Sequence, residues 1–392
     1  MNLLTRRHLL LGTAALASPL SLALAATTPN ANPDDARFVF VLLRGGLDGL
    51  GAVPAIGDPD FASARGPLAN FGVPPLALAG TAFALHPSLA SMHALYQSGE
   101  LAAVHATGLP YRERSHFDAQ QVLESGGSKP YELATGWLGR ALAAHGNRGG
   151  LALTTAVPLV LRGSERIDTW APSVLPEPSP DLVARLEFLY AGDAALGQAL
   201  TRAKALREQP GMVEAAGNAG GRAAAIGLAR KAGELLAAQQ GPRVAVLEMG
   251  GWDTHANQAA PGGALANNLR TLDGSLAALR EAMTGAAWKR TVIVVATEFG
   301  REVAVNGTQG SDHGTGGAAF VLGGAVHGGR VIADWPGLAK AQRYEGRDLR
   351  ITTDLRALLK GVLADHLHVP TATIERAVFP GSATVQALSI LS

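Results

Sequence analysis

Residues 292–317 read VIVVATEFGREVAVNGTQGSDHGTGG. The run from Val292 to Ala296 is continuously apolar, the pattern of a strand buried on both faces of a parallel sheet. It breaks at once into Thr297-Glu298-Phe299-Gly300-Arg301, and a short linker leads to Ser311-Asp312-His313-Gly314. In open α/β sheets the chemistry collects beyond the carboxyl ends of strands, where loops aim side chains into one crevice. Glu298, Asp312 and His313 placed there would offer hard and borderline metal ligands. A second run, Val244-Ala245-Val246-Leu247-Glu248-Met249, ends the same way, in Gly250-Gly251-Trp252-Asp253-Thr254-His255.

A third strand, Phe38 to Leu43, ends in Arg44-Gly45-Gly46-Leu47-Asp48. Paired glycines after a strand let the backbone turn tightly and approach a ligand. Asp48 is then a third carboxylate at a strand end, or else the cap of a turn. Leu101 to His105 reads as a short strand leading into Arg112-Glu113-Arg114-Ser115-His116. Ser115 with Asp118 three residues on predicts a helix N-cap. Free backbone N–H groups at such a point also stabilise an oxyanion, and Arg112, Arg114 and His116 add to that reading.

Elsewhere the sequence carries framework. Pro54 to Leu85, rich in Gly, Pro and Ala, reads as an irregular surface excursion. Ser88 is expected to cap a short helix running to Tyr96. Gly136 to Leu142 predicts a helix and Ala152 to Thr155 a strand. Residues 178–239 are rich in Ala and Leu and predict amphipathic helices forming an insertion or flanking layer. Leu265, Leu269, Leu272, Leu276 and Leu279 fall at helical spacing, so the order from Val244 to Ala296 is strand–helix–strand, a crossover between neighbouring parallel strands. Phe320 to Leu322 adds a strand, and Leu349 to Thr353 with the following leucine-rich helix closes the chain. His86, His93, His105, His145, His327, His366 and His368 lack clustered partners and read as core or surface residues.

With 392 residues, 47% of them hydrophobic, the chain can bury a sizeable core. Its net charge of +1 gives no electrostatic reason for a nucleic-acid or polybasic membrane partner. It has no cysteine, which excludes disulfides, thiol nucleophiles and Fe–S clusters. Arg6-Arg7 precede an apolar run from Leu9 to Leu24, and Ala23-Leu24-Ala25 matches a small-x-small cleavage site. Residues 1–25 are therefore expected to be a twin-arginine leader and 26–35 a polar linker, with 36–392 as a single domain. The mature protein is expected in the periplasm or secreted, without a stable membrane anchor.

Carboxylates packed as Asp48, Asp253, Glu298 and Asp312 would be repel one another unless a cation intervenes. With His255 and His313 they predict one or two divalent ions, with zinc, calcium, magnesium and manganese all open. The motifs RGGLDG, GGWDTH, TEFGR and DHG together resemble those of domain-of-unknown-function family 1501, which is similar to the alkaline phosphatase and sulfatase superfamily. The resemblance implies an α/β fold: a largely parallel sheet between helix layers, alkaline-phosphatase-like, with the Ala-rich helical insertion. It implies Asp48 at a first metal beside the nucleophile, with Asp253, His255 and His313 at the other. Glu298 stands where the superfamily has the aspartate of an Asp-His pair. Phe299 holds that histidine's place, so one site lacks a ligand unless His116 or Asp312 replaces it. The expected activity is hydrolysis of phosphate or sulfate esters, with Ser115 or metal-bound water as nucleophile. His116 and Arg114 would be catalytic, and Arg44 and Arg301 would contact the anionic ester. The alternative is a catalytically degraded relative that binds metal or an anionic polymer in the envelope.

Overall fold

The computed structural model describes residues 35–144, 149–164, 166–172, 178–207, 221–259, 261–283 and 285–391. The expected leader and most of the linker lie outside these residues. The strands are β1 (Arg37–Leu43), β2 (Leu76–Ala77), β3 (Ala84–Leu85), β4 (Leu101–Gly108), β5 (Gly150–Ala152) and β6 (Ile167–Thr169). They continue with β7 (Val244–Met249), β8 (Thr291–Thr297), β9 (Gly317–Leu322), β10 (Arg330–Ile332) and β11 (Thr353–Asp354). The main sheet runs β10-β4-β9-β8-β1-β7-β5-β6, with β11 also paired to β4.

β1 sits at the middle because it is apolar at every position that faces a helix layer. Val39, Val41 and Leu43 enter one core, and Phe38, Phe40 and Leu42 enter the other. This is the period-two alternation of a strand buried on both sides. β7 and β8 are parallel to each other as expected, but they are not neighbours: each pairs with β1, which lies between them. The crossover therefore spans a strand position, a long-range choice that local periodicity does not record. Within the main sheet, among the described residues, only β9 opposes its neighbours, pairing antiparallel with both β8 and β4, while β2 and β3 form a separate antiparallel pair. Reversing β9 brings its beginning, and the Asp312–His313 loop before it, to the edge where β1, β4, β7 and β8 end.

The helices that matter for the site are α1 (Gly49–Ala52), α2 (Phe61–Arg65), α3 (Ala90–Gln97) and α4 (His116–Ser125). Ser88 does not cap α3, whose cap position is Leu89; the Ser88 N–H instead donates to His86 Nδ1 at 3.0 Å. Residues 180–190, 194–207 and 221–237 are helical, and the last of these packs on the helix Ala264–Ala282. That helix buries Leu265, Leu269, Leu272, Leu276 and Leu279, each worth roughly 1.5–3 kcal/mol. The strand expected at Ala152 to Thr155 is shifted, ending at Ala152, and that expected at Leu349 to Thr353 is reduced to β11. The stretch from Pro54 to Leu85 runs over the surface for much of its length but is anchored inward at several points. Phe61, Leu68, Leu78 and Phe83 are buried, and so is Arg65.

Candidate metal centre

Five chain segments meet at the carboxyl edge of the sheet. After β1, Gly45 takes a φ of +121°, and a Cβ there would lie 2.5 Å from the Asp253 nitrogen. Only glycine allows the β1 and β7 loops to approach so closely. After β8, Glu298 is buried and its Oε1 accepts from the Gly45 N–H at 2.8 Å. After β4, the chain turns through Arg114 (φ +59°) into α4, whose first residue is His116.

Three imidazoles and one carboxylate converge there. His313 Nε2 lies 3.1 Å from Asp253 Oδ1, 3.0 Å from His116 Nε2 and 3.0 Å from His255 Nε2. Asp253 Oδ1 is also 3.0 Å from His255 Nε2 and 3.4 Å from His116 Nε2. His116, Asp253 and His313 each offer one ligand atom within 4.8 Å of the others.

The far nitrogens decide the protonation. His116 Nδ1 is 2.7 Å from Glu298 Oε1, His255 Nδ1 is 2.9 Å from Asp312 Oδ1, and His313 Nδ1 is 3.1 Å from the Arg114 carbonyl. Ionised carboxylates and carbonyls only accept, so all three Nδ1 atoms carry protons. In the neutral rings the Nε2 lone pairs of His116 and His255 then each face that of His313. Lone pairs about 3 Å apart repel unless a proton or a cation lies among them. A carboxylate or carbonyl behind each ring is the usual support of a metal-ligating histidine. The five separations of 3.0–3.4 Å are close to the ~3.3 Å edges of a tetrahedron around an ion ~2.0–2.1 Å from its ligands, with His116, Asp253 and His313 as the mutually close set and His255 beside Asp253 and His313.

Electrostatics follow from these contacts. Hydrogen bonding to Glu298 outweighs burial and raises the His116 pKa. Burial works against the Glu298 anion, yet donors from His116, Gln120 and Gly45 hold its carboxyl below the usual range. Burial likewise opposes the Asp253 anion, but Arg301 Nη1 at 2.5 Å keeps its pKa low. The Asn306 amide, and then His255, depress Asp312. Burial lowers His313, and the Arg301 charge, joined by His116 whenever that ring is protonated, lowers it further.

The expected site residues therefore separate. Asp253, His255 and His313 come together, and His116 joins them. Glu298 and Asp312 stand behind the imidazoles as acceptors. Asp48 is not in the cluster: it caps α1 through Gly51 N (3.0 Å) and is bound by Arg65 and Gln258. Ser115 occupies the N-cap position of α4 without making the expected side-chain cap bond, and the neighbouring Tyr111 hydroxyl donates to Asp118 at 3.2 Å. Arg44 is clamped by Glu248 (2.7 and 2.9 Å) and Glu124 (2.9 Å). Arg114 pairs with Asp348 and Glu345, and Arg301 with Asp253. Phe299 packs on the His116 and His313 rings, with centroids 4.6 and 5.2 Å away.

Sequence reasoning missed Gln120, Asn306, Arg65 and Gln258. Gln120 was the most accessible. It lies four residues after His116 on the same face of α4, and bridges Glu298 (3.2 Å) to Arg44 (3.1 Å).

The family model described as "Protein of unknown function (DUF1501)" matches residues 73–373. No curated protein matches the sequence. Among solved structures, the chain is similar to a protein in the alkaline phosphatase superfamily from Vibrio parahaemolyticus, with 11% identity, 84% of this chain and 66% of that one covered, and a TM-score of 0.42. It is similar to a 2-O GAG sulfatase at 9% identity, covering 90% and 73%, with a TM-score of 0.42. It is also similar to the phosphonate monoester hydrolase of Agrobacterium radiobacter at 12% identity, covering 85% and 74%, with a TM-score of 0.40.

Proposed function

The chain belongs to the DUF1501 family, and for it we propose metal-dependent hydrolysis of an anionic phosphate or sulfate ester at the His116–Asp253–His255–His313 cluster. The observation that carries this reading is the set of three Nδ1–H groups tied down by Glu298, Asp312 and the Arg114 carbonyl, which leaves the Nε2 atoms of His116 and His255 each facing that of His313. Three imidazoles and one carboxylate favour an ion of the zinc class over calcium or magnesium, which take oxygen ligands. When bound, such an ion polarises an ester oxygen and makes water a stronger acid.

The chain's own residues fix the rest. Glu298 retains the His116 Nδ1 proton and fixes that ring's orientation, and Asp312 does the same for His255. Arg301 orients Asp253. Phe299 covers the His116 and His313 rings on one flank, limiting water there. The side chains of Asp253 and His255 remain 44% and 43% exposed, so an ester has access to the cluster. Arg44, Arg114 and Arg301 are each already matched by carboxylates. Ser115, between the Arg114 carbonyl and His116, is the candidate hydroxyl nucleophile.

A second reading, a chain that holds metal without turnover, is favoured by Phe299, which packs on the His116 and His313 rings in the place the resemblance gives to a metal-binding histidine. The test is hydrolysis of an activated aryl phosphate and aryl sulfate by the zinc- or manganese-loaded protein, with Ser115→Ala alongside. Turnover that Ser115→Ala abolishes, with folding and metal intact, supports the serine enzyme. Equal turnover by both assigns the attack to water. No turnover with either ester supports the binding reading.

We further take residues 36–392 as one domain carrying the helical insertion at 178–239, exported by the twin-arginine leader of residues 1–25. No helix among the described residues is long and apolar enough to cross a membrane.

A further inference from the structure

Asp48 stands in the loop after the central strand β1, where the resemblance places one of two metal ions, yet its surroundings are those of an ion pair. The carboxylate is 1% exposed and the Arg65 side chain 0%. Asp48 Oδ2 accepts from both Arg65 Nη2 and Gln258 Nε2, while Oδ1 accepts from Gly51 N. Arg65 is itself anchored, its Nη1 donating to the carbonyls of Val303 (2.9 Å) and Glu302 (3.3 Å). Gln258 is oriented by Thr254 and Ser311 hydroxyls, 2.6 and 2.7 Å from its Oε1. Both carboxylate oxygens thus have protein donors, and a positive charge already lies against the oxygen an ion would take. A divalent ion added there would face the Arg65 guanidinium at close range in a fully buried region, where like charges repel strongly.

We propose that Arg65 is a fixed cation that takes the place of an ion at Asp48, so that the chain binds a single metal ion. This rests on the reading of the His116–Asp253–His255–His313 cluster as a metal centre. Arg65 is within reach because the stretch after Pro54 folds inward as α2 and delivers it at the helix end.

The experiment counts ions per chain by elemental analysis of the full-length protein, stripped and then equilibrated with zinc or with manganese. Wild type and Asp48→Asn should each retain one ion and His313→Ala none. Two ions in wild type, falling to one in Asp48→Asn, would overturn the proposal while leaving the metal centre standing. No ion in wild type would remove the metal centre itself, and the role of Arg65 is then decided by urea unfolding. Arg65→Met should be strongly destabilised, and adding Asp48→Asn should restore most of the loss. Additive losses would overturn the ion-pair assignment. Should Arg65→Met not fold, recovery of a folded chain in the double variant supports the pair, and failure of both overturns it.

Discussion

His313 Nε2 lies 3.1 Å from Asp253 Oδ1, and both His116 Nε2 and His255 Nε2 approach this same pair of atoms. The two residues come from different parts of the sheet, Asp253 following β7 and His313 preceding the reversed strand β9. Every residue proposed to support the centre acts by fixing a side chain around this edge.

Glu298 is the most consequential of these supports. Replacing it by Gln keeps the shape but removes the charge facing His116 Nδ1. Zinc affinity, measured by competition with a chromophoric chelator, should fall roughly 10–100-fold. The fold should persist, because Gln still reaches the Gly45 N–H. Unchanged affinity would show that His116 needs no such support.

Stability should fall as pH drops from about 6.5 to about 4. Burial lowers His86, His105 and His366 from 6.5 to about 4. The His105 ring has both nitrogens committed, to the Val53 carbonyl (2.9 Å) and the Ala106 N–H (2.8 Å), so a second ring proton would meet a donor. Between the two pKa values the unfolded chain binds more protons than the folded one. The contribution is therefore present above 6.5, is lost as pH falls through the window, and levels off below about 4. Each histidine costs at most about 1.4 kcal/mol per pH unit. Urea unfolding at pH 7 and pH 5 checks this; equal midpoints would contradict it, and His105→Gln should flatten the dependence.

How much of this was legible in the sequence depends on the range of the interaction. The apolar runs of β1, β7 and β8 and the polar clusters after them are local signals, and they pointed to the sheet edge where Asp253, His255 and His313 meet. The placement of β1 between β7 and β8, and the reversal of β9, depend on pairings across hundreds of residues and leave no local trace. Arg65 was hidden for a related reason: amid Gly, Pro and Ala nothing marks it as buried until Asp48 and the Val303 carbonyl surround it. Whether Glu298 and Asp312 ligate or stand behind a histidine cannot be read from residue type, since a carboxylate does either. That is settled by which imidazole nitrogen faces it.

The proposed export is tested at residues 1–25. Replacing Arg6 and Arg7 by Lys should leave precursor in the cytoplasm, scored by fractionation and immunoblotting. Normal appearance of processed protein outside the cytoplasm would assign export to another route.

The central claim, that three imidazole nitrogens and Asp253 hold one ion, is tested most directly by X-ray absorption at the zinc edge of the loaded full-length protein. The account predicts a first shell of nitrogen and oxygen about 2.0–2.1 Å from zinc, with the outer scattering of imidazole rings, weakened in His255→Ala. A shell of oxygen alone without imidazole scattering, or zinc that washes out of the folded protein, would contradict it.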